Sequence, residues 1–237
     1  TPNLHTNPTP IQTGSSDAFS VEAWVYHDQR TAEQQIFGGG NSLVDEANRF
    51  SVNVDASGQI GVALPGIWTG FQSAATIPTG QWTHVAVTVT NSTSPTVSIW
   101  INGTAVHSLA YSGRGTLGPV FTIGDGVFDA SRWWRGQIDQ VKIWSTALGA
   151  PQVQESMHAY QKGAIGGGSI TNANLVAHYD FNEFNSGSEL NRAGSSFNLL
   201  SSTTSAQYLD NRIIQTGTAH SLQTFVKFNR TYLTAAG

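Results

Sequence analysis

One loop groups carboxylates that could hold a hard cation. Gly124-Asp125-Gly126-Val-Phe-Asp129 sets Asp125 and Asp129 among glycines. Calcium takes several oxygen ligands from carboxylates and backbone carbonyls and tolerates a loop frame. Asp and Gly are also the default turn residues, so the stretch reads as a solvated turn too. Hydrolysis of a glycosidic bond asks for something different, two carboxyl groups about 5 Å apart flanking one bond. On a strand that means acidic residues at alternate positions. No Glu-x-Asp-x-Glu run exists; Asp180 and Glu183 are three apart, and Asp45 and Glu46 are adjacent, so each pair diverges. No Gly-x-Ser-x-Gly elbow, His-Glu-x-x-His pair or phosphate loop is present. An enzyme is therefore not expected.

Aromatic side chains are the second source of chemistry. Trp68 and Phe71 lie in the turn-rich stretch Pro65-Gly-Ile-Trp-Thr-Gly-Phe71, and Arg132 and Trp133 lie in Ser131-Arg-Trp-Trp-Arg135. An alternating strand buries only one of Trp133 and Trp134, which leaves the other facing solvent or a groove. Exposed aromatics beside arginine suit stacking on sugar rings or anchoring a protein partner. The competing reading is that each caps an edge of the core. Trp24, Trp82, Trp100 and Trp144 fall in alternating strand patterns and read as packing residues. The seven histidines show no metal-ligand spacing, and His84 and His178, both inside strands, read as structural. Asp139 shares the period of Val141 and Ile143, which predicts an inward, hydrogen-bonded carboxylate.

Short strands must position these groups. Phe19-Ser-Val21-Glu-Ala23-Trp-Val25, Phe50-Ser-Val52-Asn-Val54, Ile60-Gly-Val62-Ala-Leu64 and Val85-Ala-Val87-Thr-Val89 all alternate with period two. Val97-Ser-Ile99-Trp-Ile101 runs into Asn102-Gly103, a hairpin signal, because a type I′ turn needs positive φ at both central residues. Phe121–Ile123, Ile138–Trp144 and Leu175–Phe181 continue the pattern. One short helix is predicted from Pro151, with Val153, Met157 and Tyr160 near helical spacing and Gly163 ending it. Short strands separated by frequent turn signals predict an all-β sandwich or barrel with one short helix.

Composition narrows the function. The chain has 237 residues, enough for one large β domain. Charged residues make up 11%, well below the usual quarter, and the net charge is −4. No basic stripe exists to neutralise phosphates, so nucleic acid is not an expected partner. Without cysteine there is no disulfide framework, thiolate zinc site or thiol nucleophile. No run approaches the roughly 18 apolar residues of a spanning helix, so direct membrane insertion is not expected. The chain opens mid-pattern at Thr1-Pro2-Asn3 and reads as a fragment of a larger protein.

Several phrases resemble the laminin-G-like, concanavalin A-like jelly roll. Phe19-Ser-Val-Glu-Ala-Trp-Val25 is similar to its early strand, and Gly80-Gln-Trp-Thr-His-Val-Ala-Val87 to its central strand. Ile99-Trp-Ile-Asn-Gly103 resembles its hairpin, and Phe121-Thr-Ile-Gly124 with Arg135-Gly-Gln-Ile-Asp-Gln-Val-Lys-Ile-Trp144 its closing signature. Leu175-Val-Ala-His-Tyr-Asp-Phe181 is similar to a further family strand. The resemblance spans residues 17–183, while 1–16 and 190–237 match poorly. Residues 1–237 are read as one domain, with 190–237 either closing it or beginning a next repeat. The resemblance implies an all-β fold, an antiparallel two-sheet jelly-roll β-sandwich with one short helix, and binding to glycan, protein or matrix, frequently with calcium, on a rim formed by the Asp125 loop and the one near Asp45.

The expectation is a non-catalytic recognition or adhesion module of a secreted or cell-surface protein. Asp125 and Asp129 are its candidate calcium ligands, and Trp68, Phe71, Arg132 and Trp133 its candidate contacts to a glycan or a cell-surface protein. Neighbouring domains of the same chain are further expected partners. A structural spacer in a long adhesin is the rival reading, and a glycoside hydrolase-like enzyme the third.

Overall fold

A computed structural model describes residues 4–6, 9–11, 13–30, 32–42, 47–124, 132–159, 172–181, 184–185, 188–189, 191–193, 196, 199–201, 208–209 and 225–228. In chain order the first strands are β1 (Leu4–Thr6), β2 (Phe19–His27), β3 (Gln34–Gly40), β4 (Phe50–Val54), β5 (Ile60–Leu64) and β6 (Ile67–Trp68). Next come β7 (Trp82–Val89), β8 (Thr96–Ile101), β9 (Thr104–Ala110), β10 (Val120–Ile123), β11 (Gly136–Trp144), helix α1 (Ala150–Ser156) and β12 (Leu175–Tyr179). The short strands β13 (Phe184–Asn185), β14 (Ser188–Glu189), β15 (Leu199–Ser201), β16 (Tyr208–Leu209) and β17 (Phe225–Phe228) follow.

These strands form two antiparallel sheets stacked as a jelly-roll sandwich with one short helix. The nine-stranded sheet runs β13-β14-β15-β1-β10-β3-β4-β5-β6, and the eight-stranded sheet runs β16-β17-β11-β2-β7-β8-β9, with β12 also pairing β11. The alternating residues supply the interlayer core: Phe19, Val21, Ala23 and Val25 of β2 are fully buried, as are Val85, Val87 and Val89 of β7. They meet Phe50, Val52, Ile60 and Val62 from the opposite sheet. The hairpin between β8 and β9 turns through Asn102 (φ 49) and Gly103 (φ 75), the two positive φ values a type I′ turn requires.

Two elements depart from the sequence reading. The strand β3, Gln-Gln-Ile-Phe-Gly-Gly-Gly, has strand formers at Ile36 and Phe37 and then three consecutive glycines, yet it is central and wholly buried. A Cβ on Gly39 would lie 2.1 Å from the Val120 carbonyl oxygen, so the close approach of β3 and β10 requires glycine. The β11 ladder against β2 is interrupted between Asp139 and Lys142, where Gln140 takes φ 51. This bulge moves Asp139 off the face of Val141 and Ile143. Asp139 lies opposite Trp24 on the outer face, and the expected inward placement is corrected accordingly.

Helix α1 packs on that outer face. Its start is fixed by Gln152 Oε1, which accepts the Gly149 N–H at 2.8 Å, and by Pro151 in the first turn. It stops at Ser156, short of the Tyr160 that the spacing predicted, because the sheet takes over its last carbonyls. Lys142 Nζ donates to the Ser156 carbonyl at 2.8 Å, and Trp24 Nε1 donates to the Met157 carbonyl at 2.9 Å. Tyr160 and Gly163 lie outside the described residues. Val153 and Leu148 join Trp100, Trp144 and Leu175 in a second apolar cluster between helix and sheet.

Candidate functional site

The β5–β6 hairpin turns at Pro65 and Gly66 (φ 80) and leaves β6 as an edge strand. Alternation then decides the two side chains: Ile67 enters the core, and Trp68, opposite Ala63, is 48% exposed. The segment after β6 is pinned to β5 by side chains as well as by the Thr69 N–H, which donates to the Val62 carbonyl at 3.0 Å. Thr69 Oγ1 accepts the Val62 N–H at 2.8 Å, and Ser73 Oγ accepts the Ile60 N–H at 2.7 Å. Trp68 and Phe71 therefore project from an anchored backbone, with rings edge to face at 5.5 Å.

Gly61 makes this placement possible. A Cβ there would stand 2.7 Å from the Gly70 carbonyl oxygen and 3.1 Å from the Trp68 ring, so the indole lies across a strand position stripped of its side chain. Beside it, Ala47, Asn48, Arg49, Ala63, Leu64, Pro65 and Ile67 line a shallow depression of about 290 Å³. Farther along the same face the registered row Thr122, Gly38, Ser51 and Ala63 leads to Trp68. Asn53 Oδ1 and Thr122 Oγ1 on this face are buried without a hydrogen-bond partner among the described residues.

The other two sequence-derived contacts lie apart from this edge. Trp133 bridges Gln35 of β3, which is three strands from β6. It is half-buried, whereas Trp134 is buried and stacks on His27 at 4.6 Å. Arg132 is ion-paired with Glu33 at 3.1 Å. Trp68 and Phe71 thus form one patch, and Arg132 and Trp133 do not join it. Asp125 and Asp129 lie outside the described residues. Among the described residues, no three His, Asp or Glu side chains gather into a metal-binding group.

A charged layer beneath α1 escaped the sequence reading. Glu22 and Lys142 face each other across β2 and β11, both about 1% exposed, with Nζ and Oε1 3.7 Å apart. Trp144 Nε1 donates to Glu22 Oε1 at 3.1 Å, Ser156 Oγ–H donates to the same oxygen, and His84 Nε2 stands 3.2 Å from Oε2. Burial raises the Glu22 carboxyl, but the Lys142 ammonium and the contacts from His84 and Ser156 outweigh it and hold it at about 2. Burial pushes Asp139 up to about 8, and burial with the nearby Lys142 charge brings His178 down to about 4. Lys142 is lowered by burial against the pull of Glu22. At neutral pH the Glu22 carboxylate faces Lys142, with Asp139 and His178 uncharged. The sequence signal was the pair of charges at outward positions of two strongly apolar strands, Glu22 and Lys142. Period two alone assigns both to solvent.

Two stacked antiparallel sheets of this order define a jelly-roll β-sandwich. The chain belongs to the concanavalin A-like lectin/glucanases superfamily, whose laminin G-type family matches residues 3–154. No curated protein matches the sequence. Among solved structures it is similar to a Bacteroides ovatus protein provisionally described as carbohydrate-binding, with 19% identity and a TM-score of 0.61 over 85% of this chain and 57% of that one. The chain therefore spans just over half the length of that protein. It is also similar to a heptameric SAP-like pentraxin of Limulus polyphemus, at 21% identity and a TM-score of 0.48 over 65% of this chain and 74% of the other. Domain 4 of an extracellular arabinanase from Geobacillus stearothermophilus, solved with arabinotriose, is similar at 24% identity and a TM-score of 0.45 over 60% and 66% of the two chains. At these identities the likeness is one of fold.

Proposed function

We propose that this domain is a non-catalytic recognition module of a secreted or cell-surface protein, and that it binds glycan through the edge formed by Trp68 and Phe71. The observation that carries this reading is the exposed indole of Trp68, held on an anchored edge strand beside a shallow depression. A large exposed ring on a rigid frame offers an apolar face to the C–H side of a sugar, while the depression next to it offers Asn48 and Arg49 as polar neighbours. The strand pairings of 199–201 with β1 and of 225–228 with β11 support reading residues 1–237 as one module.

A glycan array with isothermal titration of the hits tests the proposal. Trp68→Ala is expected to weaken binding about 30-fold, the value of a 2 kcal/mol anchor, with the melting temperature unchanged. Gly61→Val is expected to weaken the same hits by lifting the indole off β5. Hits bound equally well by the parent and Trp68→Ala would sink the proposed edge.

Calcium assistance through Asp125 and Asp129 is part of the proposal and has its own test. A ligand of the folded state raises the melting temperature by mass action. Millimolar calcium is expected to raise it relative to chelator in the parent and not in Asp125→Ala. Equal melting temperatures with calcium and with chelator in the parent would remove the metal from the account. The spacer reading draws on the other pair: Arg132 is held by Glu33, and Trp133 is half-buried against β3.

A further inference from the structure

We propose that the outer face of the nine-stranded sheet between Trp133 and Trp68 is one extended subsite, on which a neutral, linear oligosaccharide lies across β3, β4 and β5 with a ring stacked at each end. This deepens the reading of the Trp68 edge as a glycan site and rests on it. Register places the two tryptophans on the same face. Trp133 bridges Gln35, Gln35 pairs with Asn53, and Asn53 pairs with Gly61. Residues paired across strands share a face. Val52, Val54, Ile60 and Val62 take the core face of β4 and β5, so this row lies on the outer one. β4 occupies one side of Gln35, which puts Trp133 on the other, in line with β10. Trp68 closes the far end with its ring over Gly61. From Trp133 to Gly61 the row crosses β3 and β4, a span of about 14 Å at about 4.8 Å per strand spacing. That span keeps Trp133 out of the Trp68–Phe71 patch and makes it a second platform. A sugar ring advances by roughly one strand spacing, so the row holds about three rings.

The floor between the platforms suits hydroxyl groups. Asn53 is 2% exposed; its Nδ2 donates to Ser51 Oγ at 3.1 Å, while its Oδ1 has no partner among the described residues. Thr122 Oγ1, in the next row, is buried and equally without one. Buried polar atoms are normally satisfied. A sugar hydroxyl both donates and accepts, so it can serve either atom. Gly38 leaves room above the floor, and the Gln35 amide fills the place its Cβ would take, with Thr122 Oγ1 2.7 Å from that place. Gln35 is thus an unbranched, flexible cover that a sugar displaces to reach the two orphaned oxygens. The rows Gln35-Asn53-Gly61 and Thr122-Gly38-Ser51-Ala63 carry no charge, and Arg132, next to Trp133, is already paired with Glu33. A carboxylate laid on this floor would give up its hydration without meeting a counter-charge. The floor therefore selects a neutral sugar over an acidic one.

Isothermal titration with short linear oligosaccharides tests the subsite. The probes are neutral series built on glucose, mannose, xylose and arabinose, from disaccharide to pentasaccharide, and oligogalacturonates of the same lengths. In at least one neutral series the affinity is expected to rise up to about three units and then level off, because the third ring reaches the second platform. Trp133→Ala is expected to weaken the trisaccharide about 30-fold, the loss of one aromatic anchor, so that three units bind no better than two. Trp133→Tyr keeps a ring and is expected to restore most of that loss, which a residue needed for packing alone would not do. Oligogalacturonates are expected to bind more weakly than the neutral series at every length. If Trp68→Ala loses binding while Trp133→Ala binds every length as the parent does, the extended subsite is overturned and the Trp68 edge stands. If neither variant loses binding, or no probe binds the parent, both fall. Tighter binding of the oligogalacturonates overturns the neutral class.

Discussion

Lys142→Met is expected to lower the melting temperature by roughly 6–20 °C at neutral pH. The reasoning starts from what remains behind. Glu22 stays sealed under α1 with its ammonium partner gone, and breaking a buried pair on one side costs about 3–5 kcal/mol. For a domain of this size each kcal/mol moves the midpoint by about 2–4 °C. The Ser156 carbonyl also loses one of its two donors and keeps the Ala159 N–H, so the end of α1 is held to the sheet less firmly. The double variant Glu22→Gln with Lys142→Met is expected to be more stable than Lys142→Met alone, since no uncompensated charge is left. Calorimetry of the parent, the two single variants and the double variant measures the coupling. Additive losses would show that the two residues act independently, against the layer described.

The second large effect is on the pH dependence of stability. Asp139 has its proton bound up to about pH 8 in the folded chain, against an ordinary value of 3.8. Between those values the folded state holds a proton that the unfolded state has released. Raising the pH therefore favours unfolding, with a slope of up to about 1.4 kcal/mol per pH unit. His178 works in the opposite sense. Its folded value of about 4 lies below the ordinary 6.5, so its contribution is full above 6.5 and is lost as pH falls toward 4. Glu22, at about 2 against 4.5, contributes above 4.5 and loses that contribution between 4.5 and 2. Below pH 6.5 the first two slopes oppose each other. From 6.5 to 8 Asp139 is the one of these three that still titrates, and the parent is expected to lose stability there. Asp139→Asn keeps the shape and cannot ionise, so its melting temperature is expected to pull away from the parent's as pH rises through this window. Parallel curves for the two proteins would mean that Asp139 is already ionised when folded.

Much of the sandwich was legible in the sequence because burial on one face writes a period of two. Phe19, Val21, Ala23 and Val25 are inward as that period requires, and Asn102-Gly103 turns as its residue types require. The failures have physical causes. Strand β3 carries glycine where backbones crowd, so Ile36 and Phe37 are left as its two strand formers and no alternation of period two marks it. The bulge at Asp139–Lys142 breaks the period within β11, and nothing local marks the break. The outer face of the eight-stranded sheet looks polar in sequence because Glu22, His84, Lys142 and Ser156 face one another there, and the grouping is visible only once β2, β7, β11 and α1 are assembled. At the candidate site, Trp68 and Phe71 share one turn-rich stretch and came together as local neighbours do. Arg132 and Trp133 are distant in sequence, and strand order alone decided that they sit three strands away.

The two-sided burial of the eight-stranded sheet has a consequence for solvent exchange. Central amides of β2, β7 and β11 pair on both sides and lie between the interlayer core and the layer under α1. They are expected to take up deuterium only when the whole sheet opens. Amides of β6 and of the outer half of β9 need only local fraying, so they are expected to exchange orders of magnitude faster in the same sample. The domain then keeps two clocks, a slow one for the fold and a fast one for its edges.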